Sequence, residues 1–127
     1  MTTRTISSFA RARGLGAAGH GTSHWWALRV SAVALVPLVL WLAVALAGGA
    51  AADHARLTSW LAAPLNSVLM ILLLAAGFHH TALGLQVIAE DYIHSGARFA
   101  AAGVIQLACI AGAAAGIVAV LRIASGA

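Results

Sequence analysis

Charged residues are scarce in this sequence: Asp, Glu, Lys and Arg make up 8% of its 127 residues, whereas 62% of the residues are hydrophobic. The mean hydropathy is +0.97. Soluble domains carry about 25% charged residues, so this composition excludes an ordinary soluble domain. It also excludes a disordered chain, because disorder requires low hydrophobicity and high charge. The remaining class is a small integral membrane protein.

Cysteine occurs once, and the 13 glycines show no three-residue period. A single cysteine excludes an intrachain disulfide framework, and the missing period excludes a collagen-like chain. Cys109 lies inside an apolar run, so we expect it to be a small buried hydrophobic residue.

Lysine is absent, and seven arginines against three acidic residues give a net charge of +4. In a soluble chain this charge would suggest a nucleic-acid partner. Here Arg4, Arg11, Arg13 and Arg29 precede the first long apolar run, where basic residues set membrane orientation. They are not clustered on a helix face between aromatic residues, so we expect no nucleic-acid partner.

Three segments of more than 20 residues lack Asp, Glu, Lys and Arg, and they cover residues 30–52, 57–89 and 99–121. About 20 apolar residues cross a bilayer core, so each segment can span once. Pro64 suits the first turn of the second helix, and we expect residues 52–59 to form a turn. The predicted fold is all-α and integral to the membrane, with helices at about 27–48, 63–91 and 99–122. A leader (1–26) and a short tail (123–127) flank this three-helix anchor.

Counting arginines on the two sides of the spans predicts the orientation. The N-terminal arginines lie on the same side as Arg98, whereas Arg56 and Arg122 lie opposite. This bias places the N-terminus and the second loop in the cytoplasm and the C-terminus outside. Residues 1–25 are rich in Arg and free of acids, so a mitochondrial transit peptide is the alternative.

Ionisable residues inside a span are costly and are therefore candidates for function. The second span holds most of them, namely His79, His80, Glu90 and Asp91, together with the polar Gln86. At about 100° per residue, His80 and Asp91 lie on one stripe of the helix with Gly84 and Val87 between them. A neutral imidazole in a span can ligate haem iron, relay protons or hydrogen-bond to another helix. The glycine favours His80 over His79 as a ligand, because it leaves room beside the imidazole for another helix or a flat cofactor.

Asp91 and Tyr92 end the second span, and Arg29 begins the first. A tyrosine hydroxyl can donate to a carbonyl while a carboxylate accepts or passes a proton, which suits quinone reduction. The alternative is an interfacial tyrosine beside a helix-ending acid. Arg29 is either an orientation anchor or a partner for an anion such as a haem propionate.

The order His80-x-x-x-Gly84-x(6)-Asp91-Tyr92 in the second of three spans resembles the small hydrophobic membrane-anchor subunit of succinate dehydrogenase, in its alphaproteobacterial form. The stretch from His24 to Ala32 (HWWALRVSA) strengthens the resemblance, which covers roughly residues 20–122. The Ser-Pro-His and His-Arg-x-Thr-Gly stretches of the larger anchor subunit are missing from the sequence.

The resemblance implies a subunit of respiratory complex II, which links the tricarboxylic acid cycle to electron transport. Its partners would be a flavoprotein, an iron–sulfur subunit and a larger cytochrome b anchor, with a b-type haem between the two three-helix anchors. His80 would be one axial haem ligand and the larger anchor would supply the other. Tyr92, with Asp91 beside it, would form part of the ubiquinone site, and Arg29 would lie near the quinone or the haem propionates. The chain would have no succinate-oxidising site of its own.

Two alternatives remain open at this stage. A fumarate reductase anchor would share the same helix physics. A non-redox membrane scaffold or transporter component would use His79, His80 and Asp91 only for hydrogen bonds between helices or for proton relay.

Overall fold

The computed structural model describes residues 21–126, which form four helices. They are α1 (Gly21–Ala47), α2 (His54–Ala62), α3 (Pro64–Tyr92) and α4 (Ala97–Ser125). In this part of the chain, α1, α3 and α4 are long and apolar enough to cross a membrane. The prediction of an all-α protein with three candidate spans is confirmed. The spans differ slightly in extent, since α1 begins at Gly21 rather than near residue 27. Most of the predicted leader, residues 1–20, lies outside the described residues.

The turn predicted at residues 52–59 is wrong for most of its length, because the nine-residue helix α2 begins at His54. Asp53 caps this helix: its carboxylate oxygen accepts a hydrogen bond from the backbone N–H of Arg56 at 2.8 Å. Gly49, with φ +84°, turns the chain after α1. The ring of Trp60 stacks on Trp41 of α1 with 5.1 Å between centroids, whereas the backbone of α2 packs against α3 and α4.

Pro64 occupies the first turn of α3, as predicted, and creates a local hydrogen-bonding problem. Proline has no N–H, so the carbonyl of Trp60 in α2 cannot be satisfied by the residue four positions later. The amide nitrogen of Asn66 donates to that carbonyl at 2.9 Å. The hydroxyl of Ser67 donates to the carbonyl of Leu61. These two side chains therefore link α2 to the first turn of α3.

Helix α3 is central, because it packs on α1 along one side and on α4 along the other. Within the described residues, α1 and α4 do not contact each other. A Cβ atom added to Gly112 of α4 would lie 2.6 Å from Phe78 Cε1 of α3, and one added to Gly116 would lie 3.0 Å from Leu74 Cδ1. Small residues therefore set the close approach of α3 and α4.

The contacts between neighbouring spans show their relative direction: as the residue number rises along one helix, the number of the residue that it contacts on the next helix falls. Gly77 lies against Leu35, and His80 lies against Ser31. On the other side of α3, Leu74 lies against Gly116, and Gln86 bonds to Gln106. Neighbouring spans are thus antiparallel, so the first turns of α1 and α4 lie at the same end of the bundle as the last turn of α3.

Few side chains are buried within this single layer of helices. The buried hydrophobic residues in the described part are Leu61, Ala82, Leu83, Ala89, Cys109 and Val120. The burial of Cys109 agrees with the prediction from its apolar surroundings. Many large apolar side chains remain exposed, such as Val33 at 73% and Val44 at 72%. An outward apolar surface of this extent is typical of a protein in contact with lipid or with other membrane helices.

Candidate functional site

His80 lies in an apolar cleft between α1 and α3. The cleft, called here the α1–α3 cleft, consists of two adjoining depressions that share Leu35, Val39 and His80. The rest of its lining is hydrophobic apart from Thr81. The imidazole is half-buried. An ionisable ring in an apolar cleft has few polar neighbours, so each hydrogen bond that it makes is stronger than the same bond in water.

Ser31 supplies the polar contact of His80 inside the bundle. Its Oγ lies 3.0 Å from Nδ1 of His80, and the same oxygen donates to the carbonyl oxygen of Leu28 at 2.9 Å. Ser31 is 8% exposed. The sequence gives one indication of this residue, because Ser31 is the sole hydroxyl-bearing residue of α1 that follows Ser23 in the chain. The sequence pattern gives Ser31 no role, since the sequence of one helix does not reveal which residues of another helix lie against it.

His79 lies on the other side of α3. It lines a second cleft, between α3 and α4, together with Gln106 and Cys109. Near that cleft the side-chain nitrogen Nε2 of Gln86 donates to Oε1 of Gln106 at 2.9 Å, which ties the two helices together. The two adjacent histidines therefore face different partners, as the rotation of about 100° per residue requires.

Gly84 lies one turn beyond His80. No atom outside its own stretch of helix would lie within 4 Å of a Cβ atom added there, in contrast to Gly112 and Gly116. The packing of α1, α3 and α4 therefore does not explain this glycine, whereas it does explain the other two.

Asp91 and Tyr92 end α3, and both are exposed. Tyr92 is 82% exposed. The pair lies about 16 Å along the helix axis from His80, so the two groups form separate sites on one helix. Because the spans are antiparallel, this end of α3 also carries the beginnings of α1 and α4.

Arg29 lies in α1 two residues before Ser31, so along the bundle it is closer to the level of His80 than to the end that carries Asp91 and Tyr92. It does not line the α1–α3 cleft. Its guanidinium carbon lies 4.2 Å from the ring centroid of Trp25, a cation–π contact, and its side chain is exposed. The structure therefore brings Ser31 to His80, and it places Arg29 closer to the level of His80 than to that of Asp91 and Tyr92. No group of three or more His, Cys, Asp or Glu residues suited to a metal ion occurs among the described residues.

The family model for the succinate dehydrogenase/fumarate reductase transmembrane subunit matches residues 3–120. The chain belongs to this family. It is similar to the succinate dehydrogenase hydrophobic membrane anchor subunit of Paracoccus denitrificans, with 33% identity over 77% of this chain and 76% of the relative. It is also similar to the anchor subunit of the same name from Rickettsia bellii, with 30% identity over 73% of this chain and 74% of the relative.

Membership of the succinate dehydrogenase/fumarate reductase transmembrane subunit family confirms the resemblance drawn from the sequence, including its alphaproteobacterial relatives. The family and the three apolar helices identify a multi-pass membrane subunit of an enzyme complex. The third relative, the anchor subunit of Rickettsia conorii, is 28% identical over 82% of this chain and 84% of its own length. No solved structure matches the chain significantly.

Proposed function

We propose that this chain is the smaller membrane anchor of a succinate:quinone oxidoreductase, contributing one axial ligand to a b-type haem and part of the quinone-reduction site. The observation that carries the proposal is the position of His80, an imidazole held within an aliphatic cleft of a chain from this family. Aliphatic side chains suit the apolar face of a porphyrin, and imidazole nitrogen is a haem ligand.

The residues around His80 fit such a group. The ring is half-buried, its Nδ1 faces a hydroxyl oxygen, and Gly84 leaves the next turn of α3 without a side chain. A bound haem would supply one-electron transfer, and its second axial ligand would come from the larger cytochrome b anchor. The role of this chain is to present one nitrogen, exclude water with Leu35 and Val39, and fix the ring.

The quinone site would lie at the end of the bundle that carries Tyr92 and Asp91. The phenol of Tyr92 would donate a hydrogen bond to a ubiquinone carbonyl oxygen and orient the ring. Asp91 would hold a proton close to that oxygen, because reduction of a quinone to a quinol takes up two protons. The guanidinium of Arg29 would attract a nearby anion, such as a haem propionate.

The remaining partners follow from this arrangement. An iron–sulfur subunit would dock at the Tyr92 end and pass electrons to the quinone, and a flavoprotein bound to it would oxidise succinate. The exposed apolar faces of α1 and α3 would contact the second anchor and lipid. The complex would lie in the bacterial inner membrane with the Tyr92 end and the N-terminus in the cytoplasm. This chain would have no succinate site of its own.

A fumarate reductase anchor is the second candidate, because the matching family model covers transmembrane subunits of both enzymes. The two functions use the same helices, and they differ in the direction of electron flow. The flavoprotein that accompanies the chain, and the quinone on which it acts, would decide between them.

Co-purification tests the proposal directly. A C-terminal affinity tag on this chain, after mild detergent extraction of the membranes, is expected to recover a flavoprotein, an iron–sulfur protein, a second three-span subunit and a b-type haem spectrum. Membranes that contain the untagged chain serve as the control. Recovery of the tagged chain alone, without haem, would contradict the proposal and favour the scaffold or transporter alternative.

A further inference from the structure

Ser31 is one of two buried polar side chains in the described part of the protein, and the other is Ser67. The two differ in what they touch. Ser67 donates to backbone carbonyls at the junction of α2 and α3. Ser31 contacts the carbonyl of Leu28 and, across the helix interface, Nδ1 of His80. Burial of a polar hydroxyl in an apolar interface is costly unless it is hydrogen-bonded, and the partner of Ser31 across this interface is the imidazole of His80.

The hydrogen bonds of Ser31 favour one tautomer of the His80 imidazole. The Ser31 hydroxyl has one hydrogen, and we assign it to the bond in which Ser31 donates to the carbonyl oxygen of Leu28 at 2.9 Å. The oxygen of Ser31 then offers a lone pair to Nδ1 of His80 at 3.0 Å, and Nδ1 must carry a hydrogen. In a neutral imidazole the proton on Nδ1 leaves Nε2 with an unshared electron pair.

We propose that Ser31 is a positioning residue for His80: it holds the imidazole in the Nδ1–H tautomer and fixes the rotation of its ring, so that Nε2 is the nitrogen that can bind haem iron. The inference rests on the proposed function of His80 as the ligand. It adds a polar residue of α1 to a site whose other α1 residues, such as Leu35 and Val39, are apolar. Metal-binding histidines are generally oriented in this way by an acceptor for their second ring N–H.

The chemistry of the acceptor has a consequence for the bound iron. An acceptor on Nδ1–H makes the imidazole a better electron donor, which stabilises the ferric state and lowers the midpoint potential. A neutral hydroxyl does this more weakly than a carboxylate would. It also avoids placing a charge inside the membrane, which is costly. Loss of the acceptor should therefore raise the haem potential and release the ring rotation.

The test uses the complete complex in its membrane with Ser31→Ala, Ser31→Thr and, as a matched control, Ser67→Ala. Two properties of the haem are measured: the midpoint potential, by potentiometric titration of its absorbance, and the largest g-value of the ferric form, by electron paramagnetic resonance. Ser31→Ala should raise the potential and shift the g-value, because that g-value depends on the orientation of the ligand ring. Ser31→Thr keeps the hydroxyl and should restore both wild-type values, and Ser67→Ala should leave both unchanged.

Unchanged potential and g-value in Ser31→Ala would overturn the inference, as would equal shifts in Ser67→Ala. If the Ser31→Ala complex does not assemble, Ser31→Cys replaces it, because a thiol fills nearly the same space but is a weaker acceptor. The Cys variant should show shifts in the same direction, and wild-type values there would also overturn the inference. A wild-type haem spectrum in His80→Ala would instead show that the proposed ligand role is wrong.

Discussion

Two neighbouring histidines on α3 have different surroundings because a helix turns about 100° per residue. His80 meets Ser31 in the α1–α3 cleft, whereas His79 meets the cleft formed with α4, lined by Gln106 and Cys109. The doublet therefore offers an internal comparison, since the two side chains are chemically identical and lie at nearly the same depth. A role for one of them must depend on its neighbours.

His80→Ala is expected to remove or strongly alter the b-type haem spectrum of the complex, because the variant lacks the proposed ligand nitrogen. The matched variant His79→Ala is expected to retain the spectrum. The reduced-minus-oxidised absorbance of purified membranes, divided by the amount of flavoprotein, measures both. Loss of the spectrum in His79→Ala alone would show that the ligand is His79.

Tyr92→Phe is expected to slow quinone reduction by about tenfold, roughly the worth of one hydrogen bond that is lost from the transition state. Succinate oxidation with an artificial dye that takes electrons before the quinone should stay at the wild-type rate. Phe99→Leu is the matched control, because Phe99 is an exposed aromatic residue at the same end of the bundle, 70% exposed against 82% for Tyr92. A normal rate with quinone in Tyr92→Phe would contradict the assigned role.

At the scale of the elements, α3 owes its central place to different contacts on its two sides. Glycines of α4 let Phe78 and Leu74 approach the α4 backbone, which brings α3 and α4 close together. On the other side, Ser31 contacts His80, and Leu35 lies within 3.9 Å of a Cβ atom added to Gly77. The tight side holds the two helices together, and the α1 side leaves the apolar cleft in which His80 lies.

Gly112→Val is expected to destabilise the packing of α3 on α4 by about 1–3 kcal/mol, the usual cost of overpacking a close contact. The reason is the 2.6 Å between an added Cβ atom and Phe78 Cε1. Gly103→Val on the same helix is the control, because nothing lies within 4 Å of a Cβ atom there. Thermal unfolding of the purified complex in detergent should show a lower midpoint for Gly112→Val alone. Equal midpoints for both variants would indicate that the contact does not limit stability.

At the scale of the whole molecule, the described chain is a layer of three antiparallel spans with an apolar exterior. The antiparallel order places the α1–α2 connection at one end and the α3–α4 connection, with Ser95 and Arg98, at the other. The arginine bias predicts that the second of these ends is cytoplasmic. The proposed quinone residues and the docking of soluble partners depend on that orientation.

Labelling of introduced cysteines tests the orientation. In a Cys109→Ala background, Ser95→Cys should react with a membrane-impermeant maleimide only from the cytoplasmic side. Ala52→Cys should react only from the opposite side. Inside-out and right-side-out vesicles provide the two measurements, and each variant is the control for the other. Reaction of both variants from the same side would rule out an odd number of spans between them, and reversed sides would overturn the predicted orientation.

Local properties of the chain determine three features of the structure. These are the three spans, the start of α3 at Pro64 and the separation of His79 from His80. The length of an apolar run and the rotation of a helix per residue can both be read from a single segment, so they do not depend on its neighbours in the fold. The short helix α2 was missed because its signal, the cap at Asp53, is one residue within a segment that otherwise resembles a turn.

The pairing of Ser31 with His80 and the close approach of Gly112 to Phe78 were decided by the tertiary structure. Each contact depends on the rotation and the axial register of two helices relative to each other. The sequence of either helix alone fixes neither of these. Equally, nothing local distinguishes Gly84, with open space beside it, from Gly112, which is packed against a ring. Side-chain volume at the interfaces fixes which glycine is a packing residue, and this depends on the assembled bundle.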